Sequence, residues 1–118
     1  MPADEPDVQL VFVTAPDGAT AGRLARTLVE ERLVACANIV PGVRSIYRWQ
    51  GSVEDDAEVL LILKTRSDRV AELAARVSEL HPYDLPEVIA LAAAGGSLPY
   101  LAWVTEESAD RVAKESSP

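Results

Sequence analysis

The sequence of 118 residues contains very few side chains that form disulfides or bind soft metals. Cys36 is its only cysteine and His81 is its only histidine. A single cysteine excludes an intrachain disulfide and a four-cysteine zinc site within one chain, which is typical of a reducing compartment. The chain also lacks a phosphate-binding loop, a dinucleotide glycine fingerprint and a nucleophile-elbow sequence. We therefore expect a binding protein and not an enzyme.

Positive charge is also scarce, because Lys and Arg total 11 while Asp and Glu total 19, giving a formal net charge of -8. A protein that binds nucleic acid needs a positive surface to displace phosphate counterions, so we expect no nucleic-acid partner. No apolar run reaches the length of a membrane span. Residues 1–7 are acidic and lack the apolar stretch of an export signal, and these features together predict a cytoplasmic location.

The hydrophobic pattern predicts one α+β domain over residues 1–118, with flexible ends at 1–7 and 108–118. A domain of this size buries about two-thirds of the surface of its unfolded chain, so we expect no metal to be required for folding. Asp17 is positioned to cap the first helix, and Ser67 or Asp68 the second. Strands are predicted at 8–14, 33–40 continued by 43–49, 53–64 and 87–94, and helices at about 18–31, 68–81 and 97–107.

This βαββαβ order, followed by a short C-terminal helix, is that of the ferredoxin-like split βαβ sandwich. Both helices would then cover the same face of the sheet. On the third strand, Leu60 and Ile62 fall on one face, and Val59, Leu61 and Leu63 on the other. Because the second face would remain apolar and uncovered, and because a long hairpin turns at Gln50-Gly51, we expect a homo-oligomer.

Five short strings in the sequence occur together in a fixed order. They are Thr14-Ala15-Pro16-Asp17, Ala35-Cys36-Ala37-Asn38 with Pro41-Gly42, Tyr47-x-Trp49-x-Gly51, Leu63-Lys64-Thr65, and His81-Pro82-Tyr83 followed by Pro86-Glu87. In this respect the sequence resembles the CutA family of divalent-cation tolerance proteins from about Val8 to Glu107. The resemblance implies a ferredoxin-like subunit in a homotrimer, clefts between subunits, and a role in tolerance to copper and other divalent metals.

The resemblance also implies metal ligands, namely a thiol before the Thr-Ala-Pro-Asp string and two imidazoles before Pro-Tyr. These positions hold Val13, Leu80 and His81, so only His81 retains a ligand atom. Copper or zinc would therefore bind at His81, with Cys36 as a second candidate. The alternative for Cys36 is a buried thiol that packs as a small hydrophobe, and for His81 a ring that caps the end of a helix.

Other polar and aromatic residues are candidates for a cleft between subunits. Two charged side chains stand on the otherwise apolar third strand, where burial would require partners, and four aromatic residues stand at hairpin and terminal positions. The acidic run at 54–58 is more typical of a solvated strand end than of a calcium loop. The cleft candidates are Tyr47, Trp49, Glu58, Lys64, Tyr83 and Trp103.

Three functions follow from these features. The first is a trimeric protein of divalent-metal tolerance that binds copper or related cations at subunit interfaces. The second is a structural or signalling trimer that scaffolds an unidentified protein partner and binds metal only incidentally. The third, ranked last, is a thiol enzyme that uses Cys36 with His81. The sequence leaves open the physiological metal or ligand, the downstream partner, and whether three subunits or another number close the assembly.

Overall fold

A computed structural model describes residues 7–110, which form a four-stranded antiparallel sheet flanked by three α-helices. The strands pair in the order β2-β3-β1-β4, which is the order of a ferredoxin-like split βαβ sandwich. The predicted α+β fold is confirmed. The elements are β1 (Val8–Ala15), α1 (Gly18–Glu30), β2 (Cys36–Trp49), β3 (Ser52–Arg66), α2 (Val70–Leu80), β4 (Ile89–Ala92) and α3 (Leu98–Glu107).

The core lies between the helices and the two central strands, β1 and β3. Val11 pairs with Leu63 and Val13 pairs with Leu61, and all four side chains are buried. Strand alternation directs every second residue of each strand to this face. Val59 is buried there as well, while Leu60 and Ile62 point to the opposite face, as the sequence predicts.

Helix α1 begins where the sequence predicts a cap. The Asp17 carboxylate accepts a 2.8 Å hydrogen bond from the Thr20 amide, which satisfies one of the free N–H groups of the first turn. The hydrogen bond lowers the pKa of Asp17. Leu24 and Leu28 are buried against the sheet, whereas Val29, which the sequence pattern places on the same apolar face, is 40% exposed. The buried face of α1 is therefore narrower than the sequence pattern indicates.

The predicted cap of α2 is wrong. A 3-10 turn at Ser67–Arg69 leads into the helix, and no side chain caps it. The Ser67 hydroxyl instead donates to the Asp7 carboxylate at 2.6 Å, and Asp68 forms an ion pair with Arg66. Both candidate side chains bind other residues, and the α-helix begins at Val70, about two residues later than predicted.

β2 and β3 form the long hairpin. The bend predicted at Pro41-Gly42 is an irregular register between Val40 and Val43 within β2, which begins at Cys36 and not at residue 33 as predicted. The turn places Gln50 at a φ of 49° and Gly51 at 85°, so the predicted positive φ at Gly51 is confirmed. Almost all residues of β2 beyond Pro41 are exposed, and the molecule measures 52 × 29 × 23 Å. The hairpin thus projects from the domain.

The sheet face opposite α1 and α2, here called the open face, is largely apolar. Phe12 lies opposite both Ile62 and Ile89, and Leu10 lies opposite Leu91. Ile89 is 54% exposed and Leu91 is 45% exposed. Helix α3 covers one end of this face, where Val8 and Ala93 pack with Leu101 and Val104, and the rest of the face stays partly exposed. β4 is also shorter than predicted, because only its four central residues pair with β1.

The end of α3 is held firmly in place. The Ser108 hydroxyl accepts a 3.1 Å hydrogen bond from the Arg66 amide and donates one to the Val104 carbonyl at 2.6 Å. Ser108 is fully buried, so the predicted flexible end does not start at this residue. Residues 1–6 and 111–118, which make up most of both predicted flexible ends, lie outside the described residues. No helix within 7–110 has the length and apolarity required to cross a membrane.

Candidate functional site

A groove of about 920 Å³ lies between the projecting hairpin and the loop that follows α2. We call it the hairpin groove. The hairpin supplies one wall from both of its strands, and the loop from Pro82 to Ile89 supplies the other. The groove is lined by Thr14, residues 45–49, Asp56, Glu58, residues 82–87 and Ile89.

Glu58 lies at the inner end of this groove and is only 8% exposed. Strand alternation places it on the same face of β3 as Leu60, so its carboxylate stands at the border of the open face. Its Oε2 accepts a 2.8 Å hydrogen bond from the Tyr83 hydroxyl. Burial and the hydrogen bond to Glu58 raise the pKa of Tyr83, which keeps the phenol protonated as the donor. A buried carboxylate needs such partners, because desolvation disfavours its charged form.

Tyr47 and Asp56 form a second phenol–carboxylate pair on the hairpin. Asp56 lies opposite Ser45 on β2, so Tyr47 is its diagonal neighbour across the two strands. The Tyr47 hydroxyl donates to Asp56 Oδ2 at 2.7 Å. This hydrogen bond, with smaller contributions from the surrounding carboxylates, raises the pKa of Tyr47 to about 12. The groove therefore has a negative electrostatic potential at its hairpin wall.

Glu87 adds a third carboxylate from the loop wall. Burial, and then repulsion from Glu58, raise the pKa of Glu87. Asp56 and Glu87 were not among the predicted site residues. The alternation that places Glu58 on this face also places Asp56 there, and Glu87 belongs to the Pro86-Glu87 string, so both signals were present in the sequence.

His81 is held within the domain by both of its ring nitrogens. It is the C-cap residue of α2 and is 7% exposed. Its Nδ1 accepts a 3.1 Å hydrogen bond from the Tyr83 amide, which leaves Nε2–H to donate to the Thr14 carbonyl at 2.7 Å. The ring therefore bonds a strand carbonyl and not the free carbonyls of its own helix. No ring lone pair is left for a metal ion in this arrangement.

Cys36 lies on the open face, half-buried, and does not belong to the buried core. It begins β2 directly opposite Lys64, whose Nζ lies 3.9 Å from the Cys36 Sγ. The Lys64 ammonium also donates to Asn38 Oδ1. Lys64 thus has polar neighbours on its own face, and it lies away from the hairpin groove.

Cys36 and His81 lie at opposite ends of the sheet. Cys36 pairs with Lys64 of β3, and Lys64 pairs in turn with Leu10 of β1. His81 instead contacts Thr14, four residues further along β1. Four residues of extended strand correspond to about 13 Å, so the thiol and the imidazole do not form a catalytic or ligand pair. Among residues 7–110 there is no group of three or more His, Cys, Asp or Glu side chains placed to hold a metal ion.

The structure brings together four of the six cleft candidates and separates the other two. Tyr47, Trp49, Glu58 and Tyr83 line the hairpin groove, whereas Lys64 is on the open face. Trp103 is on α3, where its ring lies 5.6 Å from that of Tyr100 and is 44% exposed.

Comparison with known proteins gives the family. The model of the CutA1 divalent ion tolerance protein matches residues 9–107. The divalent-cation tolerance protein CutA of Thermus thermophilus is 49% identical over 100 residues, which are 85% of this chain and 97% of that protein. Its solved structure superimposes with a TM-score of 0.83, again over 85% of this chain and 97% of that one.

Two further relatives overturn the predicted cytoplasmic location. The chloroplastic CutA protein of Arabidopsis thaliana is 48% identical over 95 residues, and the match covers 80% of this chain but only 52% of that protein. The structure of the periplasmic divalent cation tolerance protein CutA of Archaeoglobus fulgidus has a TM-score of 0.83 and 34% identity, and covers 86% of this chain and 99% of that one. The prediction was wrong because this domain occurs in several compartments, so its acidic composition and single thiol do not determine location.

The family model spans nearly all of the described residues, and the solved structure of the Thermus thermophilus protein has the same fold. The chain belongs to the CutA1 divalent ion tolerance family.

Proposed function

We propose that this chain acts in divalent-cation tolerance as a homotrimer that binds cations between its subunits and catalyses no reaction. The proposal depends mainly on one observation, the nearly buried Glu58 carboxylate at the border between the hairpin groove and the open face. Membership of the CutA1 divalent ion tolerance family, and relatives named for divalent-cation tolerance, support the role in tolerance.

Self-association is supported by the apolar open face. Ile62, Ile89 and Leu91 lie on this face and would remain in contact with water in a single subunit. Burial of such a surface is worth about 25 cal/mol for each Å² removed from water. The projecting hairpin adds exposed apolar side chains, including Ile46 at 63% and Val53 at 65%. A closed ring of subunits would cover both surfaces, and the family resemblance suggests three copies.

Cation binding at the subunit boundary is supported by the position of the groove. Glu58 is two residues from Leu60, so a subunit that covers the open face would also close one side of the groove. Such a subunit would exclude water and strengthen the attraction between cations and the groove carboxylates. Carboxylate and phenol oxygens favour harder cations than Cu(I), whereas His81 and Cys36 are engaged elsewhere. We therefore expect copper and zinc to bind through groove oxygens, with modest affinity.

The absence of catalysis is supported by the separation of the two reactive side chains. A thiol nucleophile needs an adjacent base, and the polar neighbours of Cys36 are Lys64 and Asn38. The imidazole of His81 lies at the other end of the sheet and is fully hydrogen-bonded.

Calorimetric titration with Cu(II), Zn(II) and Mn(II) tests the proposed site, and sedimentation equilibrium tests the assembly. We expect Glu58→Gln to weaken cation binding about tenfold, while the trimer is retained. Glu30→Gln is the matched control, because Glu30 is an exposed carboxylate of α1 that lies outside the groove. Equal cation affinity in both variants, or a wild-type monomer at micromolar concentration, would contradict the proposal.

A scaffold for a protein partner is the second candidate, and an aromatic patch on α3 favours it. Leu98 is 63% exposed and Tyr100 is 43% exposed, and Tyr100 stacks beside Trp103. Exposed aromatic clusters of this kind are common at protein interfaces. The two candidate functions, cation binding and scaffolding, can be distinguished by complementation of cells that lack the endogenous protein. If Glu58→Gln restores metal tolerance fully and the double variant Tyr100→Ala/Trp103→Ala does not, the scaffold is favoured and the cation site is not required.

A further inference from the structure

We propose that the hairpin groove binds an organic polycation, a flexible aliphatic diamine or polyamine, with its ammonium groups on the groove carboxylates and its methylene chain against the aromatic rings. This inference shares with the proposed function only the location of the ligand in the hairpin groove. It names a class of ligand that differs from a metal ion in size, shape and bonding.

The charge of the groove lining is strongly unbalanced. Four carboxylates line it, and Arg48 is the single cation among the lining residues. None of these carboxylates takes part in the ion pairs formed within residues 7–110. The uncompensated negative charge would attract a cation of complementary charge. The four groups are Asp56, Glu58, Asp84 and Glu87.

Part of this negative charge is buried, because Glu58 is shielded from solvent. It is more than nine-tenths buried, and the hydroxyl of Tyr83 is the donor that reaches its Oε2. That donor is neutral, and a carboxylate has about four lone-pair positions, so Glu58 can accept further hydrogen bonds. An ammonium group brings a compensating charge and up to about three N–H donors to the same place.

Aromatic rings line both walls of the groove. Tyr47 and Trp49 stand on the hairpin, and Tyr83 stands on the loop. Leu85 and Ile89 add aliphatic surface on the loop side. Aromatic faces attract organic cations by about 0.5–2 kcal/mol, and apolar walls pack against methylene groups. A hydrated metal ion would gain nothing from these walls.

The spacing of the carboxylates also suits a long cation with separated charges. Asp56 and Glu58 are on the hairpin, whereas Glu87 is on the loop. They form no group of three placed to surround one metal ion. Two ammonium groups joined by a flexible chain can satisfy separated charges together, and a groove of about 920 Å³ has ample room for such a ligand.

Spermidine is a suitable probe, and Trp49 is a reporter within the groove. The chain has two tryptophans, so Trp103→Phe leaves Trp49 as the single source of indole fluorescence. In this background we expect spermidine to change the fluorescence saturably, with a Kd below about 1 mM. Butylamine, which has one ammonium group, should bind at least about tenfold more weakly.

Charge-neutralising variants locate the ligand. Glu58→Gln and Glu87→Gln should each weaken spermidine binding about tenfold, whereas Glu30→Gln on α1 should leave it unchanged. Glu87 is the more exposed of the two residues. If Glu58→Gln fails to fold, spermidine binding is therefore compared between Glu87→Gln and Glu30→Gln. Complete loss of spermidine binding in NaCl at physiological ionic strength would indicate nonspecific charge attraction and overturn the proposal.

Three further results would also overturn it: no saturable change with spermidine, equal binding of butylamine, or equal losses in Glu58→Gln and Glu30→Gln. The outcome is separable from that of the proposed function. Trimer formation and binding of copper or zinc are measured without the amine, so either proposal can fail while the other stands.

Discussion

The Tyr83 hydroxyl lies 2.8 Å from Oε2 of Glu58 and joins the loop after α2 to the inner end of the hairpin groove. The same residue donates its backbone amide to His81 Nδ1, and the His81 ring in turn bonds the Thr14 carbonyl. A continuous chain of hydrogen bonds therefore runs from the C-terminal end of β1 to the groove carboxylate. It fixes one wall of the groove to the centre of the sheet.

Tyr83→Phe should destabilise the domain by about 1 kcal/mol. The substitution removes the phenol donor and leaves the nearly buried Glu58 carboxylate without it. Urea unfolding at neutral pH measures the change. Tyr100→Phe is the control, because within residues 7–110 the Tyr100 hydroxyl forms no hydrogen bond; an equal loss in both variants would show that the Tyr83–Glu58 bond is not the cause.

The stability of the hairpin should decrease in alkali because of Tyr47. Its hydrogen bond to Asp56 raises the pKa of Tyr47 from an ordinary value near 10.0 to about 12. The folded state therefore holds the phenolic proton more tightly than the unfolded state does. The stabilisation is complete below about pH 10 and is lost as the pH rises towards 12.

Ultraviolet absorbance titration of the wild type and of Tyr47→Phe measures this effect. The difference between the two curves isolates the ionisation of Tyr47, and we expect its midpoint well above the ordinary value for tyrosine. Asp56→Asn should bring that midpoint down, because the charged acceptor is removed. A midpoint that is the same with and without Asp56 would contradict the assignment.

His81→Ala should lower stability by about 2 kcal/mol and leave copper affinity unchanged. The buried ring makes two hydrogen bonds, so truncation leaves the Thr14 carbonyl and the Tyr83 amide without their partner. Thermal unfolding and Cu(II) calorimetry are the two measurements. A loss of copper affinity without a loss of stability would show instead that His81 is a metal ligand.

Leu91→Glu should weaken self-association strongly. Leu91 lies on the open face opposite Leu10, and a carboxylate there would have to be desolvated in any interface that covers the sheet. Sedimentation equilibrium should show a shift to smaller species. Val29→Glu, which changes an exposed apolar residue of α1, should retain the wild-type mass. If both variants remain fully assembled, the subunits associate through another surface.

Several parts of the fold could be predicted because they depend on residues close together in the sequence. Asp17 caps α1 through an amide three residues away. Gly51 adopts the positive φ that a two-residue hairpin turn requires. The alternation of β3 places Glu58 with Leu60 and Ile62, and opposite Leu61, whichever strand lies beside it. The five short strings likewise identify the family from local sequence alone.

The candidate site was predictable only in part, because its chemistry depends on partners that are distant in the sequence. His81 retains the residue type of a metal ligand, but the carbonyl of Thr14, 67 positions away, occupies its Nε2. Cys36 lies between two alanines, a pattern typical of a buried residue, yet its pairing with Lys64 places it on the open face. Ser108 belongs to a polar stretch of the sequence, yet it is fully buried and hydrogen-bonded to the Arg66 amide and the Val104 carbonyl.

The sequence by itself therefore determined the order of elements, the two faces of the sheet and membership of the CutA1 family. Only the tertiary structure decided which polar atoms are already bonded and which carboxylates meet in one groove. The physical reason is that periodicity and turn chemistry act over a few residues, whereas hydrogen bonding and desolvation at a site are set by segments that folding brings together.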